Sequence, residues 1–267
     1  MSQVIFITGA SRGIGRAIAH KFAGMKACIV VAAKTDTPHP TLEGTIHSVA
    51  KEIEELGGQA LPLVVDVRDE EQIHKAIEKT IKQFGGLDIL INNASAISLT
   101  DTLSTQMKRY DLMQSVNARA TFACSQAAIP HLKKSKNPHI LTLSPPLTMN
   151  PKWFAPNLAY AISKYGMSMC TLGLAEELRE YGVAVNSLWP KTTIATAAVR
   201  VNFPELCKAS RKPEIVADAA YWILSQPSQS ITGNFFIDED LLAKTGVRDF
   251  SVYAIDPTIK PFNDLFL

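Results

Sequence analysis

The stretch "VIFITGASRGIGRAIAHKF", residues 4–22, combines a short apolar run, three glycines and the start of a helical pattern. Gly9, Gly13 and Gly15 permit a tight turn and a close approach of the backbone to a ligand. The free amide groups and the positive dipole end of the new helix attract a pyrophosphate. This order of strand, glycines and helix predicts a dinucleotide site, with a helix that ends at Gly24.

The chain continues the same alternation of strand and helix patterns as far as about residue 240. Seven short apolar runs are typical of buried parallel strands: "VIFIT", "CIVVAA", "LPLVV", "LDILIN", "HILTLS", "VAVNSLW" and "NFFID". The repeated βαβ units predict an α/β fold, a Rossmann-type, doubly wound, parallel seven-stranded sheet with helices on both faces. We expect a single dinucleotide-binding oxidoreductase domain over residues 1–267, with a C-terminal tail at 240–267 that could cross onto a neighbouring subunit.

Composition argues against several other classes of protein. A formal net charge of +2, with both signs interspersed and no basic stripe, argues against a nucleic acid partner. The four cysteines include no Cys-x-x-Cys pair and the six histidines are scattered, so we expect neither disulfides nor a metal. No run approaches the roughly 18 to 20 apolar residues of a spanning helix, and the amino terminus shows no export signal. We therefore expect a cytoplasmic protein with no membrane span.

A second stretch, "YAISK" at residues 160–164, indicates where chemistry could take place. Tyr160 and Lys164 are four residues apart, so they share one face of a helix predicted to begin near Leu158. A phenol has an ordinary pKa of about 10, and a neighbouring ammonium group could lower that pKa. The pair by itself is a weak signal, because it could equally be two unrelated side chains on a helix face.

Together these motifs resemble the short-chain dehydrogenase/reductase family over residues 3 to about 240. "TGASRGIG" matches the cofactor loop, "DV" at residues 66–67 ends the third strand, "NNAS" at 92–95 ends the fourth, and "YAISK" matches the family's Tyr-x-x-x-Lys. "NNASAISLT", "LSPPL", "LWPKT" and "TGNFFIDE" are most similar to a hydroxysteroid dehydrogenase-like subgroup, whose members can carry an appended sterol-carrier domain. We expect the dehydrogenase domain alone in this chain.

The resemblance implies a role for each motif residue. Tyr160 would give its proton to a carbonyl oxygen while hydride passes from nicotinamide to the carbonyl carbon, and Lys164 would also hold the ribose. Asn117 would keep a water for proton relay, although it could instead be a mid-helix residue bonded locally or to solvent. Ser95 and Lys191 depart from the family, which usually has glycine at both positions. The implied cofactor-binding residues are Gly9, Ser11, Arg12, Gly13, Ile14, Gly15, Lys34, Asp66, Val67, Asn93, Ala94, Tyr160, Lys164, Pro190 and Thr193.

The end of the second strand bears on the choice of dinucleotide. An acidic residue there would accept hydrogen bonds from the ribose 2′-hydroxyl of NAD and repel the 2′-phosphate of NADP. Ala33 occupies that position, Lys34 follows it, and Arg12 precedes Gly13. Two cations near one phosphate favour charge-assisted hydrogen bonds, so we predict that NADP(H) is preferred and that NAD(H) is possible. Lys34 could instead be a solvated surface lysine, and Asp36 could weaken the preference.

The hydroxyl that polarises the substrate oxygen is ambiguous. The family usually places this serine 13 residues before the tyrosine, where this chain has Leu147. The candidates are Ser144, at the end of the fifth strand, and Thr148, which lies beyond two prolines. We predict Ser144, because a donor held at a strand end is better preorganised than one on a loop. Ser144 could also simply cap the strand end.

Large apolar residues flank these motifs. Met149, Trp153, Phe154 and Trp189 lie on predicted loops at the carboxyl edge of the sheet. An apolar substrate would be held there, although aromatic residues more often belong to the core. We expect a lipid-like, acyl or steroid-like carbonyl compound or alcohol as substrate. The alternative is a non-catalytic dinucleotide-binding sensor or scaffold module. The resemblance further implies a homodimer or homotetramer, paired through the long helices that carry the active-site motifs.

Overall fold

Seven parallel strands form one sheet within residues 2–267, the part of the chain that the computed structural model describes. The strands are β1 (Val4–Thr8), β2 (Cys28–Ala33), β3 (Gln59–Val64), β4 (Ile89–Asn92), β5 (His139–Thr142), β6 (Ala184–Trp189) and β7 (Phe235–Ile237). Each strand overlaps the apolar run that the sequence analysis assigned to it. The predicted seven-stranded parallel sheet is therefore confirmed.

The strand order is β3-β2-β1-β4-β5-β6-β7. The chain moves outward from β1 to β3, returns to the centre of the sheet, and moves outward on the other side from β4 to β7. A crevice opens at the carboxyl ends of β1 and β4, where the direction reverses, and open α/β sheets bind ligands at such a point. The fold thus places the residues after β1 and those after β4 at one cleft.

Helices cover both faces of the sheet, as predicted. They are α1 (Gly13–Ala23), α2 (Ile46–Glu55), α3 (Glu70–Phe84), α4 (Met107–Met113), α5 (Ala120–Leu132), α6 (Leu158–Glu177), α7 (Ala197–Asn202), α8 (Glu214–Leu224) and α9 (Asp238–Lys244), with a π-helical turn over Gln114–Arg119. Gly24 caps the carboxyl end of α1, as the sequence predicts. Within residues 2–267, no helix has the length and apolar character needed to span a bilayer.

The two faces of the sheet have separate cores. On β1, Ile5 and Ile7 pack with α1, α2 and α8, whereas Val4 and Phe6 pack with α3 and α5. Successive side chains of a strand point to opposite faces, so a strand that is covered on both sides is apolar throughout. This is why β1 appears in the sequence as an unbroken apolar run rather than as an alternating pattern.

The C-terminal tail folds back onto its own chain. After α9 the chain contains a 3-10 turn at Ser251–Tyr253 and then runs along the end of β6, where Asn263 forms an antiparallel bridge with Thr192. Phe266 is buried, with 4% of its surface exposed. Other apolar residues of the tail, Val252, Ile255, Ile259 and Phe262, are exposed, so the suggested crossing onto a neighbouring subunit stays a prediction.

Two glycines of α6 lead to opposite predictions for stability. A Cβ on Gly166 would lie 2.6 Å from the Cβ of Ala118 in the π-helical turn, whereas a Cβ on Gly173 would meet nothing within 4 Å. Gly166→Ala should lower the free energy of unfolding by about 1–3 kcal/mol, because overpacking forces α6 away from the turn. Gly173→Ala should raise the free energy of unfolding by about 0.5–1 kcal/mol, because alanine is the better residue in a helix interior.

Thermal unfolding of the two variants measures this difference. For a chain of this length, about 1 kcal/mol corresponds to a change in Tm of roughly 2–4 °C. Gly173→Ala is the matched control, because it makes the same substitution on the same helix. Equal Tm values for the two variants would show that the close approach of Ala118 to residue 166 does not make a larger side chain there unfavourable.

Candidate active site

The glycine loop after β1 is packed directly against the end of β4. Gly9 and Gly13 have φ values of +67° and +57°, in the left-handed region that favours glycine. A Cβ on Gly9 would lie 2.9 Å from the Cα of Ala94, and a Cβ on Gly15 would lie 2.6 Å from Nδ2 of Asn93. Side chains are thus excluded at these positions, which leaves the backbone of the loop free to approach a phosphate group.

A cleft at this edge of the sheet brings together most of the predicted cofactor-binding residues. It lies at the carboxyl ends of the four neighbouring strands β1 to β4. Gly15 is buried in the first turn of α1, behind the loop. The predicted residues that line the cleft are Gly9, Ser11, Arg12, Gly13, Ile14, Lys34, Asp66, Val67, Asn93 and Ala94.

Two cations lie in the cleft beside the end of β2. Arg12 donates hydrogen bonds from Nη2 to Oγ1 of Thr35 (3.2 Å) and to the carbonyl oxygen of Gly44 (3.0 Å). The Nζ atom of Lys34 lies 4.0 Å from Oδ2 of Asp66. The structure therefore places both predicted 2′-phosphate ligands at the same corner of the cleft.

The carboxylates near this corner have partners of their own. Arg68 donates from Nε to both oxygens of Asp66 (2.9 and 3.1 Å), and these hydrogen bonds lower the pKa of that carboxyl. The Oδ1 atom of Asp36 lies 2.7 Å from Nε2 of His47. Each of these two carboxylates therefore has a partner other than Arg12 and Lys34.

Tyr160 and Lys164 lie one turn apart on α6 and line a second cavity of about 360 Å³, which we call the Tyr160 cavity. Both residues are buried, with 5% and 2% of their surface exposed. Lys164 donates a hydrogen bond from Nζ to the carbonyl oxygen of Leu143 (2.6 Å), and Nζ lies 3.2 Å from Sδ of Met167. The bond to Leu143 ties α6 to the end of β5.

The Tyr160 cavity adjoins the glycine cleft. Ile14, Asn93 and Ser95 line both spaces. Pro190 and Thr193, which the family resemblance also assigned to cofactor binding, line the Tyr160 cavity from the segment after β6. All the predicted cofactor-binding residues except the buried Gly15 therefore line one or the other of these two adjoining spaces.

Burial determines the protonation of the tyrosine–lysine pair. Burial raises the pKa of the Tyr160 phenol, and the nearby charge of Asp264 raises it further. Burial also lowers the pKa of Lys164 to about 7. The pKa of the phenol is therefore shifted upward by burial and by Asp264, and not downward as the pairing with an ammonium group predicts. The phenol thus holds its proton at neutral pH, and transfer of that proton requires stabilisation of the phenolate that forms.

Asn117 lies behind the Tyr160 cavity, in the π-helical turn. Its Oδ1 accepts from the backbone N–H of Ala96 (2.7 Å), and its Nδ2 donates to the carbonyl oxygen of Ala96 (2.9 Å) and to Oγ of Ser163 (2.8 Å). The side chain is fully buried and joins the segment after β4 to α6. It is thus neither bonded locally nor exposed to solvent, and π-helical turns often occur at functional sites.

Ser144 also lies away from the Tyr160 cavity. Its hydroxyl is buried, 2.8 Å from Oγ of Ser187 on β6, and Ser187 in turn donates to Oγ1 of Thr171 on α6 (2.8 Å). The alternative, Thr148, is half-buried, and its Oγ1 accepts from the backbone N–H of Asn150 (3.3 Å). The structure therefore brings Tyr160 and Lys164 together at one cavity and places both candidate hydroxyls elsewhere.

The predicted pocket residues divide into three groups. Trp189 lines the Tyr160 cavity. Trp153 and Phe154 pack in the apolar cluster around Tyr160. Met149 is 85% exposed, so its predicted place in the pocket is wrong, because the loop before α6 turns this side chain to the surface.

The sequence analysis missed the contribution of the tail. Phe262, Asn263, Asp264 and Leu265 line the Tyr160 cavity. Burial raises the pKa of the Asp264 carboxyl to about 7. No motif signals these residues, because Asp264 lies 100 positions after Lys164 and approaches it only through the tertiary structure.

The chain is similar to known proteins in both sequence and structure. The family described as short chain dehydrogenase matches residues 3–205. Hydroxysteroid dehydrogenase-like protein 2 of Danio rerio is 60% identical over 264 residues, which make up 98% of this chain and 63% of the relative. The chain thus spans less than two thirds of the length of that relative.

Two solved structures show the same fold. A short chain dehydrogenase of Mycobacterium thermoresistibile is 51% identical, with a TM-score of 0.94, over 99% of this chain and 95% of the other. A metagenomic short-chain oxidoreductase in complex with NADP is 27% identical, with a TM-score of 0.73, over 88% of this chain and 96% of the other.

Proposed function

Because the chain belongs to the short-chain dehydrogenase family, a family of NAD(P)-dependent oxidoreductases, we propose that it transfers hydride between NADP(H) and a carbonyl or secondary alcohol group of an apolar substrate. The observation that carries this proposal is that Tyr160 and Lys164 line one cavity, which adjoins the glycine cleft. Apolar side chains such as Ile97, Leu99 and Trp189 form much of that cavity, which suits an apolar substrate.

The glycines, Arg12 and Lys34 that line the cleft support a dinucleotide as its occupant. The nicotinamide would supply the hydride in reduction and accept it in oxidation. Backbone amides at Ser11, Gly13 and Ile14, at the start of α1, would bind the pyrophosphate, because no side chain stands between them and the cleft at the glycines. The remaining contacts would come from Lys164 to the ribose, from Asp66 and Val67 to the adenine, and from Asn93, Ala94, Pro190 and Thr193.

Tyr160 is the proposed proton donor in carbonyl reduction. As hydride adds to the carbonyl carbon, the C=O π electrons move to the oxygen, which takes the proton of the Tyr160 hydroxyl. The ammonium group of Lys164 stabilises the phenolate that is left, and a proton from solvent restores the phenol. Alcohol oxidation runs through the same groups in reverse.

The roles of Asn117 and Ser144 stay predictions. Asn117 already bonds to Ala96 and Ser163, and Ser144 already bonds to Ser187. Each would have to exchange one of these partners before it could hold a water or polarise a substrate. Asn117 joins the segment after β4 to the helix of Tyr160, and these hydrogen bonds favour a role in positioning that helix.

Replacement of the tyrosine hydroxyl tests the proposed reaction. Tyr160→Phe should lower kcat for NADPH-dependent reduction by about 10²- to 10⁴-fold, the range that general acid catalysis contributes, while the affinity for NADPH stays within about twofold. Single-turnover oxidation of bound NADPH across a panel of apolar aldehydes and ketones provides the measurement. Tyr165→Phe, five residues further along α6, is the matched control and should keep its activity.

Ser144→Ala and Thr148→Ala in the same assay identify the second hydroxyl. Loss of one such donor should lower kcat by about 10²- to 10³-fold. Full activity of Tyr160→Phe, or wild-type protein that binds NADPH and reduces no carbonyl, would support the non-catalytic sensor instead.

A charge reversal at the end of β2 tests the preference for NADP(H). Lys34→Asp removes an attraction to the 2′-phosphate and adds a repulsion, so the preference should shift toward NADH by about tenfold or more, or about 1.4 kcal/mol. Titration of NADPH and NADH into both proteins measures the ratio. Lys108→Asp makes the same charge change on the exposed start of α4 and should leave the ratio unchanged. Tighter binding of NADH by wild-type protein would contradict the assignment.

The outer faces of α5 and α6 support the proposal of a homodimer or homotetramer. Phe122 on α5 and Ile162, Met169 and Leu172 on α6 are 54%, 41%, 61% and 53% exposed. Two neighbouring helices with such large exposed apolar side chains are typical of an interface between subunits.

An acidic substitution on this face should separate the subunits. Met169→Glu should give a monomer by light scattering at micromolar concentration, because the carboxylate would be buried without a partner. Leu103→Glu is the control, since Leu103 is 99% exposed on a loop and its replacement should leave the mass unchanged. A monomeric wild-type protein would contradict the proposal.

A further inference from the structure

The Tyr160 cavity contains an acidic group as well as the tyrosine and the lysine. Of the described residues that line this cavity, three have titratable side chains: Tyr160, Lys164 and Asp264. The side chains that line it from the segment after β4 and from α7 are neutral. Asp264 is thus the only acid among the lining residues and Lys164 the only cation. Charges act on each other more strongly in such an apolar space than in water.

Lys164 has no charged partner in direct contact. Its Nζ atom donates to the carbonyl oxygen of Leu143 (2.6 Å), lies 3.2 Å from Sδ of Met167, and lies 5.0 Å from the centroid of the Trp189 ring. None of the described carboxylates forms a direct ion pair with Nζ. Neutral partners replace only part of the hydration that an ammonium group loses on burial. A negative charge at the same cavity would supply more of it.

The tail holds the carboxyl group of Asp264 at this cavity. The backbone N–H of Thr193 donates to the carbonyl oxygen of Phe262 (2.9 Å), and that of Asp264 donates to the carbonyl oxygen of Lys191 (3.0 Å). The Oδ1 atom of Asp264 accepts from the backbone N–H of Leu265 (2.7 Å). The acid is therefore fixed by backbone pairing with the segment after β6 and not by an ion pair of its own.

Asp238, at the start of α9, is the other acid that acts on Asp264. Burial raises the pKa of the Asp264 carboxyl to about 7, and the charge of Asp238 raises it as well. Asp238 accepts from the backbone N–H groups of Lys191 (2.8 Å) and Glu239 (2.6 Å), and these bonds and the charge of Arg211 favour its ionised form. Asp238 thus has partners of its own, and it does not line the Tyr160 cavity.

Asp264 acts on the other two titratable groups of the cavity in opposite ways. Burial lowers the pKa of Lys164 to about 7, and the charge of Asp264 opposes this effect and favours the ammonium form. Burial raises the pKa of Tyr160, and the charge of Asp264 raises it further, which opposes the phenolate. Asp264 therefore assists the proposed reaction at a pH where Lys164 would otherwise lose its proton. At lower pH, where Lys164 is protonated in any case, it gives no such assistance.

We propose that Asp264 is the counter-ion of Lys164: across the cavity, the tail supplies the negative charge that keeps the buried lysine protonated near neutral pH. It is a positioning residue, because it acts on the reaction through Lys164, whose ammonium group stabilises the phenolate of Tyr160. The proposal rests on the proposed function for the reaction that the lysine serves. Its electrostatic content, the protonation of Lys164, does not depend on turnover.

Protein labelled with ¹³C at Cε of lysine tests the counter-ion directly. The chemical shift of Cε follows the loss of the ammonium proton, and the Lys164 signal is the one that Lys164→Arg lacks. In wild-type protein its titration midpoint should lie near pH 7. Asp264→Asn keeps an oxygen that can accept from Leu265 and removes the charge. It should lower the midpoint by about one pH unit, because the ammonium form loses an opposite charge.

Three further variants complete the titration. Asp264→Ser removes the charge by a second route and should also lower the midpoint, whereas Asp264→Glu keeps the charge and should leave it near that of wild type. Asp249→Asn is the matched control, because it makes the same substitution at an exposed position of the same tail, where the carboxylate accepts from the backbone N–H of Ser251 (2.8 Å). Its midpoint should equal that of wild type. Thermal unfolding curves establish that each variant is folded.

The pH profile of NADPH-dependent reduction distinguishes a counter-ion from a residue that only supports the fold. The rate should decline as Lys164 loses its proton, and a shift of about one pH unit moves this decline to lower pH. Across the panel of apolar aldehydes and ketones, Asp264→Asn should be about tenfold slower than wild type at pH 8 and within about twofold of wild type at pH 5.5. Damage to the fold would lower the rate at both pH values.

The two measurements separate this inference from the proposed function. A lowered Lys164 midpoint in Asp264→Asn, together with a wild-type protein that reduces no carbonyl compound of the panel, would overturn the proposed reaction and leave the counter-ion supported. An unchanged midpoint in both Asp264→Asn and Asp264→Ser would overturn the counter-ion. Equal losses of activity at pH 5.5 and pH 8 would overturn its role in the reaction.

Discussion

The hydrogen bonds that join the end of β1 to the end of β4 are the constraint on which both cavities depend. The Oγ1 atom of Thr8 accepts from the backbone N–H groups of Asn93 and Ala94 (both 3.0 Å) and donates to the carbonyl oxygen of Ile91 (3.2 Å). A single hydroxyl thereby uses its proton and both lone pairs. Asn93 in turn donates a hydrogen bond from Nδ2 to the carbonyl oxygen of Thr8 (2.8 Å). The loop after β1 must then pass against Ala94, which is possible because residue 9 is glycine.

Burial of the tyrosine–lysine pair costs solvation free energy. A buried ammonium group loses its hydration, and Lys164 replaces it with the carbonyl oxygen of Leu143 and the sulfur of Met167. The lowered pKa of Lys164 and the raised pKa of Tyr160 are two expressions of the same loss of solvation. Residues kept at such a cost are typical of sites that serve chemistry rather than stability.

The tail contributes a carboxyl group, that of Asp264, to the cavity that contains Lys164. Burial raises the pKa of Asp264, the neighbouring charge of Asp238 raises it further, and Lys164 lowers it. Asp264 in turn favours the charged form of Lys164. Each of these two groups therefore reduces the electrostatic cost of burying the other. The tail thus takes part in the electrostatics of the cavity as well as in its shape.

The sequence by itself determined the features that depend on local pattern. Apolar runs predicted the seven strands, the glycine loop after "VIFIT" predicted the cleft, and the four-residue spacing predicted that Tyr160 and Lys164 share a face. Only the tertiary structure decided which partners these residues meet. It turned the hydroxyl of Ser144 toward Ser187, 43 positions away, and it buried Phe266 against Tyr160. Burial and hydrogen-bond partners arise from contacts between distant segments, and no local spacing encodes them.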